Sequence, residues 1–156
     1  MPKSATTADA QVILHLYDLR REAEMRKART WWFASFWPQS ADDFMKVMNA
    51  VGTPENAWLR QVMGYWEMAA AIAVQGAVNQ ELFLVPSFSG EMFTTFAKLK
   101  PFLGELRKKI GNPELLANIE TLINNSKKGR DRLMQFEVRL AARRKLMMEA
   151  AAAKAS

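Results

Sequence analysis

Glu67 is the residue whose surroundings most invite chemistry. It lies within Ala57–Val74, a stretch apolar on nearly every side and interrupted by Arg60, Gln61, Gly64 and Glu67 itself. A carboxylate buried there without a partner would carry a large desolvation cost. It must therefore meet a cation or serve as a proton-transferring group in a pocket beside Trp66. The expected answer is an interhelical salt bridge, with Arg60 two helical turns away and Arg20, Arg21 and Arg26 available from the first helix. No second catalytic group accompanies it.

The remaining inventory is poor in reactive groups. His15 is the single imidazole and there is no cysteine, which rules out thiol chemistry, disulfides and Cys-based metal ligation. It also rules out a bundle di-metal centre built from two Glu-x-x-His pairs. Phosphate loops, dinucleotide fingerprints, EF-hands and zinc fingers have no counterpart. No catalytic residue, metal site or cofactor is expected.

Two regions have the composition of a contact surface. Trp31, Trp32, Phe33, Phe36 and Trp37 follow Arg26, Lys27 and Arg29, a pattern that can sit at a membrane interface or stack on bases; capping one end of the core is the favoured role. The second region is the C-terminus. Residues 126–156 carry nine Lys/Arg against three Asp/Glu, whereas residues 1–125 carry thirteen of each, so the whole net charge of +6 resides in the tail. A pI near 9.8 points to anionic partners such as nucleic acid or an acidic protein. Arg130, Arg132, Arg139, Arg143, Arg144 and Lys145 form the candidate anion or partner surface. On the same helix Leu133, Phe136, Leu140 and Met147 recur at heptad-like spacing, facing either the chain's own core or a second subunit. The helix from Pro113 and the basic entry to the last helix loosely have helix-turn-helix spacing.

The elements that hold these residues are marked by their ends. Thr6-x-x-Asp9 has capping-box spacing and predicts a helix to about Ala34, stopped by Pro38. Ser40-x-x-Asp43 starts a short second helix that ends at Gly52. Thr53-Pro54-Glu55 opens a third, apolar all round and so placed at the centre. A short piece from Asn79 follows, then a helix from Ser87 or Ser89 that Pro101 kinks or divides. Another runs from Pro113, and a last one from about Arg130 to Ala150 with a fraying Ala-rich end. Gly64 and Gly104 are expected at close helix crossings, and the ten methionines as core filler. Gly64-Tyr65-Trp66-Glu67, Val74-x-Gly76-x-Val78 and Glu81-Leu82-Phe83 resemble uncharacterised small helical bacterial proteins, a resemblance that brings no activity and no functional residue.

The N-terminal Met1-Pro2-Lys3-Ser4-Ala5-Thr6-Thr7 lacks the apolar core of a signal peptide, and the longest apolar run, Met68–Val74, is far below the roughly 20 residues a membrane span needs. A cytoplasmic protein is expected. The reading is an all-α single-domain bundle of about six helices. Residues 1–125 form the core, and the basic helix 126–156 packs on it or on a second subunit. The expected function is a non-enzymatic interaction or assembly module that self-associates into a homo-oligomer. The alternatives are a nucleic-acid-binding module using the last helix, and a small-molecule binder or enzyme with a pocket at Glu67.

Overall fold

The computed structural model describes residues 3–156; Met1 and Pro2, part of the leader question, lie outside the described residues. All of the regular structure is helical: α1 (Thr7–Leu19), α2 (Ala23–Thr30), a π-helical turn (Trp31–Ser35), α3 (Ala41–Asn49), α4 (Pro54–Val74), α5 (Gln80–Phe83), α6 (Pro86–Leu99), a 3₁₀ turn (Lys100–Phe102), α7 (Leu103–Ile110), α8 (Ala117–Asn124) and α9 (Lys127–Ala155). Among the described residues the six helices expected are nine α-helical segments, one of them a single turn, because several predicted helices are broken.

The central element is as anticipated. Thr53 accepts from the Asn56 amide at 3.2 Å, Pro54 occupies the first turn, and α4 buries Leu59, Val62, Met63, Trp66, Ala69 and Ala73 while α2, α3 and α8 pack around it. On the far side α6 packs against α9, and α8 touches both. The capping box is formed: the Asp9 amide donates to the Thr6 hydroxyl at 3.3 Å and the Thr6 amide to the Asp9 carboxylate at 2.7 Å.

Three expectations about continuity need correction. The first helix does not reach Ala34; it stops at Leu19, where Arg20 turns inward and becomes 6% exposed, and the Glu22 carboxylate caps a new helix by accepting from the Met25 amide at 3.0 Å. α6 starts at Pro86, with Val85 rather than a serine at the preceding position and no side-chain cap. The segment after Pro113 is a turn, and α8 begins only after Leu116, which adopts a left-handed φ of 57°. Conversely, α9 runs from Lys127 to Ala155, longer than expected at both ends; its earlier start follows from Ser126, which accepts from the Gly129 amide at 3.0 Å.

Close crossings occur at other glycines than those named. Gly64 and Gly104 are exposed, with nothing near the position a Cβ would take. At Gly129 a Cβ would collide with the Ile123 carbonyl, and at Gly90 it would sit 3.3 Å from the Phe136 ring. These two glycines let the start of α9 lie against α8 and its middle against α6.

Candidate functional site

Glu67 does not meet an arginine. It is half-buried and points at the start of α8, where its Oε1 accepts from the Asn118 amide at 2.9 Å and the Asn118 side chain at 2.8 Å, and its Oε2 from the Ile119 amide at 3.2 Å. A carboxylate supplied by another helix thus satisfies the first-turn N–H groups of α8, whose own preceding residue, Leu116, has no capping side chain. The expected partners are engaged elsewhere. Arg60 donates to Asn56 at 3.1 Å, while Arg20 reaches Glu91 at 3.7 Å. The cavity bordering Trp66 measures about 10 Å³, room for one water and no substrate.

The six basic residues of α9 divide in the same way. Arg130 donates to the Asn124 carbonyl at the end of α8 at 2.5 Å, Arg132 to the Leu84 carbonyl at the end of α5, and Arg144 to the Pro38 carbonyl at 3.3 Å. Arg139 lies over the Phe136 ring, with its guanidinium carbon 5.3 Å from the centroid. Arg143 and Lys145 are exposed. The apolar side of α9, Leu133, Phe136 and Leu140, faces inward on α6 and α8, with Phe136 stacked on Phe93 at 5.4 Å. Heptad-like spacing here serves the chain's own core.

The aromatic cluster is partitioned. Trp32 and Phe36 are buried; Trp31, Phe33 and Trp37 are half-buried, and Trp31 stacks on Phe36 at 4.6 Å. Trp31 and Trp58, 6.1 Å apart, line one shallow surface depression with Arg26 and Lys27. A π-helical turn carries the cluster, closed by the Phe36 amide donating to the Trp31 carbonyl at 2.9 Å. Such turns leave carbonyls for other donors.

The donor is Lys98, a residue that sequence reasoning missed. It has no exposed surface. Its amine donates to the Trp32 carbonyl and, at 2.6 Å, to the Phe36 carbonyl, and stands 4.5 Å from the Trp37 ring centroid and 4.9 Å from that of Trp32. Among the described residues no carboxylate pairs with it. Burial, and then the positive charges of Arg144 and Arg143, push its pKa down from 10.5 to about 7. The rings favour the cation by about 1–2 kcal/mol, less than the several kcal/mol of desolvation per buried ion. The sequence held one clue: Lys98 sits inside the apolar run Phe93, Phe96, Leu99, at helical spacing from Glu91 and Phe102.

Two turns earlier on α6, Glu91 anchors the opposite arrangement. Arg29 donates to it through Nε at 2.9 Å and Nη2 at 2.5 Å, and through Nη1 to the Arg20 carbonyl at 3.3 Å. Arg20 lies over the Trp66 ring at 5.2 Å. Nearby, the Tyr65 hydroxyl donates to the Leu16 carbonyl at 2.5 Å, and burial raises its pKa to about 12.

Other surfaces offer less. A cleft of about 560 Å³ lies where α1, α5 and α9 begin, but Thr6, Asn79 and Ser126 already cap those helices. Among the described residues no group of His, Asp or Glu is placed to hold a metal ion, and no helix is long and apolar enough to cross a membrane.

The architecture is that of an all-α protein in which charged side chains from one helix close the ends of others. The chain belongs to the family described as a domain of unknown function, DUF4760, which matches residues 5–126. The matched stretch spans α1 to α8 and stops at the residue that caps α9. No curated protein and no solved structure matches the chain.

Proposed function

We propose that the protein is a non-enzymatic helical interaction module that pairs with a second copy of itself through the outer face of α9. The observation that carries this reading is a second stripe on that helix. Met134 is 63% exposed and Val138 71%, and Ala141, Lys145, Met148 and Ala152 continue them at alternating four- and three-residue steps. That spacing keeps one seam along a helix facing a partner helix; Met148 lies at its margin, 37% exposed, with its sulfur also touching Gln39. The inward stripe is already covered by α6 and α8, so the outer one is available. Lys145 within the seam lowers its stability and favours a small, fixed assembly, the usual effect of one polar residue at such a position.

Binding of nucleic acid has weaker support, because Arg130, Arg132 and Arg144 hold main-chain carbonyls and Arg139 covers a phenyl ring. A catalytic pocket at Glu67 has weaker support still, since three donors already occupy its carboxylate. Size-exclusion chromatography with light scattering should give a dimer at high micromolar concentration. Met134→Glu together with Val138→Glu should return a monomer with unchanged helicity. A wild-type chain that stays strictly monomeric sinks the reading.

A further inference from the structure

Where α9 passes residues 36–39, hydrogen-bond donors outnumber acceptors. Lys98 Nζ takes the Trp32 and Phe36 carbonyls. Arg144 Nη2 takes the Pro38 carbonyl at 3.3 Å. Two further donors, Arg144 Nε and Trp32 Nε1, are buried without a protein acceptor among the described residues. A neutral amine has two hydrogens for its two carbonyls; an ammonium brings a third, plus a charge facing two arginines.

We propose that Lys98 is a proton-operated latch for the distal half of α9: protonation of its amine gathers three cations at this junction, and residues 141–155 lift away while residues 127–140 stay docked. The charged groups facing Lys98 are Arg143 and Arg144 from α9. The π-helical turn contributes carbonyls and rings, and on α6 the ionic neighbour, Glu91, lies two turns away and is held by Arg29.

The two halves of α9 differ in their hold on the body. The proximal half is fixed by buried Gly129, Leu133 and Leu140. The distal half has the Arg144 contact, a 3.6 Å contact from Gln39 to the Met148 sulfur, and half-buried Met147. When charge must be accommodated, the distal half is the part that yields, because so few contacts oppose its movement. A cation relieved of two arginine neighbours keeps both of its carbonyls, so the π-helical turn stays in place. The titration lies near neutrality, where a modest change in acidity operates it. The latch does not depend on self-association and is testable on a monomer.

The experiment follows the Lys98 side-chain carbon resonance and amide hydrogen exchange of the full chain across the same pH series, with exchange rates corrected for intrinsic chemistry. The resonance should titrate near neutrality, and protection of 141–155 should fall by about tenfold from about pH 8 to about pH 6 while 127–140 keeps its protection. In Lys98→Met the protection of 141–155 should no longer depend on pH. Arg144→Gln, which gives up the Pro38 contact but leaves the buried apolar residues of α9 unchanged, should move the Lys98 midpoint upward and serves if Lys98→Met does not fold. A Lys98 resonance that titrates only above about pH 9, equal protection at both pH values, or an unmoved midpoint in Arg144→Gln overturns the proposal.

Discussion

The π-helical turn and α2 are tied to α6 at two places seven residues apart, and the two ties use opposite chemistry. At Glu91 an anion receives two arginines, and each charge has its counter-charge within hydrogen-bonding or ion-pair distance. At Lys98 a cation has none; its contacts are carbonyls and aromatic rings. The first tie is partly open to solvent, with the Glu91 side chain 24% exposed, whereas the second is fully buried and poised to titrate near neutrality. The difference shows that satisfying hydrogen bonds and neutralising charge are separate requirements. Lys98 meets the first and leaves the second to its pKa.

The largest expected effect comes from breaking the paired end. Glu91→Ala leaves Arg20, 7% exposed at its side chain, and Arg29 as neighbouring cations without an anion. Removing one partner of a buried pair costs about 3–5 kcal/mol, and the side chain of Glu91 is 24% exposed, so about 2–4 kcal/mol is expected from urea unfolding. A loss below about 1 kcal/mol, the value for surface pairs, would place this cluster among solvated contacts and erase the contrast.

The unpaired end should reveal itself through pH rather than through absolute stability. The folded pKa of Lys98, about 7, lies below its unfolded value of 10.5, so between these limits the unfolded chain holds a proton that the folded chain lacks. Stability therefore rises with pH across this window, by at most about 1.4 kcal/mol per pH unit, and is flat in this contribution below it. Above pH 10 Tyr65 acts in the other direction, because its folded pKa exceeds its unfolded one. Unfolding midpoints measured from about pH 7.5 to 9.5 should climb in the wild type and lose that slope in Lys98→Met. A wild-type slope of zero would mean the amine is charged throughout.

These two sites were not equally legible in the sequence. Helix starts at Thr6, Ser40 and Thr53 were readable because a hydroxyl or a proline acts on amides two or three residues away, and the all-round apolarity of α4 announced a central helix. The break at Arg20 was not readable: the apolar period runs on past it, and what stops the helix is burial of a guanidinium against Trp66 and Glu91, residues 46 and 71 positions later in the chain. The arginines of α9 declared their charge but not their targets, since carbonyls at the ends of α5 and α8 exist only once those helices have ended. Lys98 was hidden for the same reason. Its partners are backbone atoms, which every residue has and no side-chain pattern reports.

Glu67 sharpens the comparison from the anionic side, and it carries the smallest effect. It mirrors Lys98: a carboxylate with no cation, set against amides instead of carbonyls. The mirror is imperfect because Glu67 is half-buried, and because the start of α8 presents a partial positive charge that stabilises an anion, whereas at Lys98 two arginines oppose a cation. Glu67→Ala should uncover the Asn118 and Ile119 amides and cost about 1–2 kcal/mol, the range for losing a helix cap. Glu67→Gln retains an acceptor oxygen and should cost less than half of that, since the charge–dipole part of a cap is about 0.3–1 kcal/mol. If Glu67→Gln were as damaging as Glu67→Ala, the charge rather than the hydrogen bonds would hold α8 to α4. Amide exchange at Asn118 and Ile119 in the two variants separates these outcomes, because an uncapped first turn opens locally without unfolding the body.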